Sequence, residues 1–199
     1  MTDSEPVSGR AASLELGVIG NCQISALLDD RGRVVWSCLP RLDSDPVFCT
    51  LLAEGPSQAA RGFYEVELID LARSEQRYIP NTPILETILE DRHGGRVKVT
   101  DFCPRFEQYD RVFHPVAIAR YVEPLAGSPR VVVRLRPAAE YGAQKPETTF
   151  GSNHIRYMMP GLTLRLTTDL SLNHIMEEKP LVLDRPVTLI LGPDESLQD

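Results

Sequence analysis

The sequence predicts an all-β protein, a large antiparallel β-sandwich (supersandwich) with one or two short helices. Three observations carry this. Apolar residues recur at every second position in many short runs, the period of a strand with one buried face. The runs return at roughly 8–12-residue spacing, the rhythm of a sandwich. Turn formers separate them, with 16 prolines and 13 glycines in 199 residues. No long helical pattern, internal repeat or low-complexity segment interrupts the scheme.

Taken in order, residues 1–13 are polar and read as a disordered lead-in. Residues 14–193 form the sandwich. Residues 25–28 (SALL) and 33–39 (RVVWSCL) make a first hairpin around the turn DDRG at 29–32. In its second strand Val35 and Cys38 flank Trp36, the lone tryptophan, and predict core packing for it. A charged loop follows, Arg41-Leu-Asp-Ser-Asp45. Asp45 then reads as the N-cap and Pro46 as the first residue of a short helix over residues 46–52. The carboxylate accepts from free backbone N–H groups, and proline has no N–H to leave unpaired.

Residues 84–90 and 96–102 flank Asp91-Arg-His-Gly-Gly95, a second hairpin. Val97, Val99 and Asp101 share its inward face, so Asp101 is expected to bond backbone at a sandwich corner. Residues 131–136 alternate again and stop at Pro137. Leu162, Leu164 and Leu166 alternate with Thr163, Arg165 and Thr167. Residues 181–183 and 187–191 are separated by a turn at 184–186. Residues 194–199 read as the start of a linker.

Composition excludes several function classes. Net charge is −7, the wrong sign for a nucleic-acid binder. No apolar run approaches the 18 or so residues that span a membrane. Residues 1–12 lack the apolar core of a secretory signal, so the chain is expected in the cytoplasm. Cys22, Cys38, Cys49 and Cys103 include no C-x-x-C pair and are expected as reduced, buried thiols. His93, His114, His154 and His174 stand in no metal-ligand spacing. No cofactor or metal is expected.

Three stretches carry a family resemblance. GNCQISALLDDRGRVVWSCLPRLDSDPVFCTLL (20–52) resembles the opening of the bacterial glucoamylase- and trehalase-like glycoside hydrolases of family 15. Those proteins begin with Gly-Asn-Cys-Gln, a Gly-containing turn, a Trp, and a Pro-Arg-aromatic-Asp-Ser loop. RSEQRYIPNTPILETILEDRHGGRVKVTDFCPRF (73–106) resembles their Tyr-x-Pro-Asn-Thr and Val-Thr-Asp-Phe strands, and residues 135–169 resemble a later segment. The likeness covers roughly residues 14–193, with Leu42 standing where many relatives carry an aromatic. It implies a β-supersandwich that packs on a helical (α/α)6 barrel. The barrel, downstream of Asp199, would hold the acid and base that invert an α-glucosidic bond. The likeness therefore implies an α-glucoside substrate reached through the barrel, and no catalytic residue in this chain.

The carboxylates agree. Inverting hydrolysis wants an acid and a base about 6.5–9.5 Å apart. Asp43 and Asp45 are the only tempting pair, two apart on one loop, with Asp45 given to a cap. Candidate interface or substrate-rim residues fall in two groups. Arg41 and Asp43, joined by Asn21 and Gln23, form the first. Asn153, His154, Arg156 and Tyr157 form the second. These polar groups can instead satisfy backbone at strand ends. A sandwich that packs on another domain should also carry an exposed apolar patch on one sheet face or loop end, which can equally promote a homo-oligomer. A free-standing carbohydrate-binding module or a purely structural sandwich remains the alternative.

Overall fold

The computed structural model describes residues 14–53 and 60–194, so the lead-in expected over residues 1–13 lies outside the described residues, as do 195–199. The first sheet runs β1 (Gly17–Gly20), β2 (Ser25–Leu28), β3 (Val34–Cys38), β5 (Phe63–Leu68), β12 (Arg130–Arg136) and β16 (Leu181–Val182). A further strand, β4 (Pro46–Phe48), also pairs with β3. The second sheet runs β13 (Glu147–Phe150), β14 (His154–Met159), β15 (Leu162–Thr168), β17 (Val187–Pro193), β11 (Ile118–Ala126), β8 (Arg96–Phe102), β7 (Leu85–Asp91) and β6 (Leu71–Tyr78). Among the described residues, strands β9 (Phe106–Gln108) and β10 (Arg111–Phe113) pair only with each other. Every ladder among the described residues is antiparallel. The protein is an all-β sandwich.

The core lies between the sheets. Ile19, Leu28, Val34, Val66 and Val133 from the first meet Leu89, Val99, Leu164, Leu166 and Leu189 from the second, all buried. Each such side chain contributes about 1.5–3 kcal/mol on leaving water. Alternation does the sorting: in β8 the buried residues are Val97, Val99 and Asp101, as their shared parity requires. The hairpin turns are built as the sequence predicts. Asp29 Oδ1 accepts from the N–H groups of Arg31 and Arg33, each at 3.0 Å. Gly32 follows at φ 74°, a conformation that other residues adopt only under strain.

A short helix, α1 (Leu172–Met176), closes the side of the sandwich against β12, burying Leu172 and Ile175. Two residues past its end Glu178 sits at φ 49°, a position usually filled by glycine. Its carboxylate explains the exception: it accepts from Arg136 Nε at 2.6 Å and from Arg134 Nη1 at 2.8 Å.

Three expectations fail, each for a physical reason, and a fourth, that all four cysteines are buried, holds only for Cys49 and Cys103. The helix over residues 46–52 does not form. Pro46–Phe48 is instead strand β4, and only Thr50–Leu52 makes a 3-10 turn, with Cys49 at its N-cap and no side-chain cap. Val47 and Phe48 are buried in the first sheet, Ser37 opposite Phe48, so burial overrides the local helix-start chemistry. Pro46 opens the strand, where its missing N–H is tolerated. Trp36 is not in the core. A register shift opposite Leu27 and Leu28 turns Val34 and Ser37 inward, leaving half-buried Trp36 outside in a row with Leu27 and Val18.

Asp101 does not bond backbone. Its carboxylate takes Arg120 Nε at 2.7 Å and Nη2 at 3.1 Å, cross-strand on the inner face, with both side chains wholly buried. Arg120 also donates to the carbonyls of Tyr64, at 3.1 Å, and Gly32, and lies 4.7 Å from the Tyr64 ring centre. One guanidinium thus ties β8 and β11 of the second sheet to β5 and the first hairpin of the other. For Arg120, burial works against the charge, but Asp101 outweighs it and raises the pKa. Of the cysteines, Cys49 and Cys103 are buried as expected, Cys38 is half-buried and Cys22 is exposed, all four as free thiols.

Candidate functional site

Strand ends bring the first candidate group to one end of the sandwich. β1 ends at Gly20 and β2 begins at Ser25, so Asn21, Cys22 and Gln23 lie in the turn between them. β3 and β4 deliver the Arg41–Asp45 loop there, Cys38 opposite Pro46. β17 ends beside them at Pro193, opposite Leu164.

Asn21 is a clamp, not a rim residue. It is 2% exposed. Its Nδ2 donates to the carbonyls of Pro104 and Pro115, both at 2.9 Å. Its Oδ1 accepts from the N–H groups of Gln23, at 3.0 Å, and Ile24, at 3.2 Å. Every hydrogen-bonding capacity of the side chain is used: Oδ1 closes the β1–β2 turn, and Nδ2 ties that turn to the segments after β8 and before β11. Gln23 is half-buried and lines a groove of about 420 Å³ with His114, Arg165, Thr167 and Pro193. The Arg41 loop borders a separate cleft of about 330 Å³, walled by Leu39, Pro40, Asp45, Pro46 and Glu140.

Arg41 and Asp43 bond each other. Nε and Nη2 each sit 2.9 Å from a carboxylate oxygen, in a fork with both side chains largely exposed. The Arg41 hydrogen bond, helped by the backbone N–H, holds the Asp43 carboxyl below its usual range. A general acid needs the opposite shift. The loop presents a prefolded, exposed charged pair.

The second group divides by strand parity. Ile155 and Tyr157 point inward on β14, and Tyr157 is a core residue at 7% exposure. His154 and Arg156 point outward. His154 lies near Asn153 Oδ1 at 3.3 Å, and slight burial followed by Arg165 and Arg156 lowers its pKa. Arg156 Nε holds Asp194 at 2.6 Å, Arg165 stands 3.5 Å from the same carboxylate, and the Asp194 N–H donates to Thr163 O at 2.8 Å. These contacts hold Asp194, the last described residue, against β14 and β15. The two predicted groups do not form one pocket. Arg165 and Arg120 escaped sequence reasoning, although Arg120 stands at period two between Ile118 and Val122. No group of three or more His, Cys, Asp or Glu side chains among the described residues can hold a metal ion.

The family model for the trehalase-like N-terminal domain matches residues 7–162. The chain belongs to that family. It is similar to a trehalase of Thermoplasma volcanium, 27% identical over 132 residues, covering 65% of this chain and 20% of the relative. A trehalase of Mycolicibacterium smegmatis is 33% identical over 87 residues, covering 44% and 12%. A trehalase of Thermoplasma acidophilum is 31% identical over 117 residues, covering 58% and 19%. The chain thus spans a fifth or less of the length of these relatives, in which the trehalase-like N-terminal domain is part of a larger enzyme. No solved structure matches it. No helix among the described residues is long and apolar enough to cross a membrane.

Proposed function

We propose that this chain is the non-catalytic N-terminal domain of a trehalase-like glycosidase of family 15. Residues 14–193 form the domain, and residues 194–199 begin the connection to an (α/α)6 barrel. The barrel supplies the acid and base for inverting hydrolysis of an α-glucosidic bond, trehalose first among the candidate substrates. The sandwich packs on the barrel and shapes the rim of its active site through Gln23, Arg41, Asp43, His154 and Arg156. Asn21 and Tyr157 act from within, by fixing the turn and the strand that carry these residues. Asn153 steadies His154.

The family match over residues 7–162 carries this reading, together with the small share of each trehalase that the chain covers. The chemistry supports it. The exposed carboxylate of Asp43 is committed to Arg41, and buried Asp101 to Arg120. Four free cysteines fit a reducing, cytoplasmic setting.

Glucose release from trehalose tests the reading. The purified 199-residue chain should release none, while the polypeptide that continues through the downstream domain should. Hydrolysis by the short chain, lost on mutating a carboxylate within it, would refute the assignment.

A further inference from the structure

The hairpin of β9 and β10 is the element that the sandwich itself does not need. Neither strand joins a main sheet, and all of their residues are exposed. Isolated two-stranded hairpins are marginal in water, yet this one displays its largest apolar side chains. Phe106 and Phe113 face each other across the pair with ring centres 5.5 Å apart, and still remain 47% and 40% exposed. Tyr109, at the tip, is 86% exposed.

The tip is also strained. Tyr109 and Asp110 form the two-residue turn with φ of 51° and 56°. That turn favours Asn-Gly or Gly-Gly, because both central residues take the left-handed region. A tyrosine there costs stability and places an aromatic ring outermost, an outlier that points to use.

The base, by contrast, is fixed. The carbonyls of Pro104 and Pro115 flank the hairpin, and buried Asn21 Nδ2 bonds both at 2.9 Å. Beyond Pro115 the chain crosses β17 closely: a Cβ on Gly192 would fall 2.5 Å from Val116 O. Asp194, the last described residue, is held by Arg156, and Pro193 before it lines one groove with Pro115 at the hairpin's base. In the three trehalases, all but 20%, 12% and 19% of the length lies outside the matched region.

We propose that the hairpin is a docking finger, with Phe106, Tyr109 and Phe113 seated in an apolar groove of the catalytic domain of the longer chain. This rests on the function proposed above. Aromatic anchors on a rigid base are what a stable interface uses as its centre. Asn21 is then a positioning residue for the interface.

Hydrogen exchange of residues 106–113, compared between the full-length enzyme and the 199-residue chain, tests the proposal. Exchange should slow at least tenfold in the full-length enzyme. Tyr109→Gly is the sharper variant, because glycine relieves the turn while removing the ring. It should leave the melt of the 199-residue chain unchanged or slightly improved, yet return hairpin exchange in the full-length enzyme toward the rate of the short chain. Phe106→Ser with Phe113→Ser should do the same. Equal exchange in both proteins overturns the proposal. So does protection that rises with concentration of the short chain, which would make a second copy the occupant. Glucose release by the wild-type full-length enzyme is read in parallel. If trehalose is cleaved but the hairpin is unprotected, only the docking proposal falls; if nothing is cleaved, the functional reading falls and the docking proposal with it.

Discussion

Two arginine–aspartate pairs in this domain have the same chemistry and opposite consequences. Arg120 and Asp101 are wholly buried between the sheets, and Arg120 adds bonds to Tyr64 and Gly32. Arg41 and Asp43 form an equally good fork with 68% and 71% of their side chains exposed. In water the exposed fork is screened and each member is solvated when alone, so it holds little of the fold. In the core neither member can be solvated alone, so each depends on the other. A pair's role is set by its surroundings: the first is a rivet between sheets, and the second, which holds little of the fold, is proposed to face another domain.

The largest effect should come from breaking the rivet. Arg120→Ala leaves Asp101 buried without its partner, and a denaturant melt should lose about 3–5 kcal/mol, the range for breaking a buried pair. Arg120→Met combined with Asp101→Leu should recover much of this, because an apolar pair needs no compensation. If the single change is tolerated, water reaches Asp101 and the pair is not sealed.

Asn21→Ala comes next. It strands the N–H groups of Gln23 and Ile24 in the β1–β2 turn and takes a donor from the carbonyls of Pro104 and Pro115, the second of which keeps the Ala117 N–H, and the melt should lose about 1–3 kcal/mol. Hydrogen exchange at Gln23 and Ile24, whose N–H groups bond Asn21, should accelerate.

A smaller effect depends on pH. Burial pushes the Glu178 carboxyl up, but Arg136 and Arg134 outweigh it and hold the carboxyl below its usual 4.5. The unfolded chain then takes the proton first. The stabilisation is complete above the unfolded value and disappears as pH falls through the folded one. Wild-type stability should therefore drop more steeply below about pH 4.5 than that of Glu178→Gln, and the two curves should run parallel above it. Parallel curves throughout would show that the three side chains are not coupled.

Much of this fold was legible from residue order. One-sided strands announce themselves by period two, and Asp91 to Gly95 could be little but a turn. The failures share a cause. Asp45-Pro46 is sound helix-start chemistry, but Val47 and Phe48 had a sheet to complete. Trp36 was misplaced because a register shift leaves no mark in the sequence. Arg120 was overlooked because a charge at an inward position looks like an error in the pattern until Asp101 is seen to answer it. Of the candidate site, the Arg41 loop was visible as a dense charge cluster between apolar runs. Asn21 and Tyr157 were visible only as residue types, and burial gave them other work. The Phe106–Phe113 hairpin had no signal, since Tyr109-Asp110 is not a turn dipeptide.

The most direct test is Arg41→Ala, followed by a denaturant melt of the 199-residue chain and by trehalose turnover in the full-length enzyme. The melt should be unchanged, because the exposed fork holds nothing inside the fold. Turnover should fall, because the loop serves a neighbour. A shifted melt, or a full-length enzyme indifferent to the change, would contradict the division between a pair that holds the domain together and a pair that faces its partner.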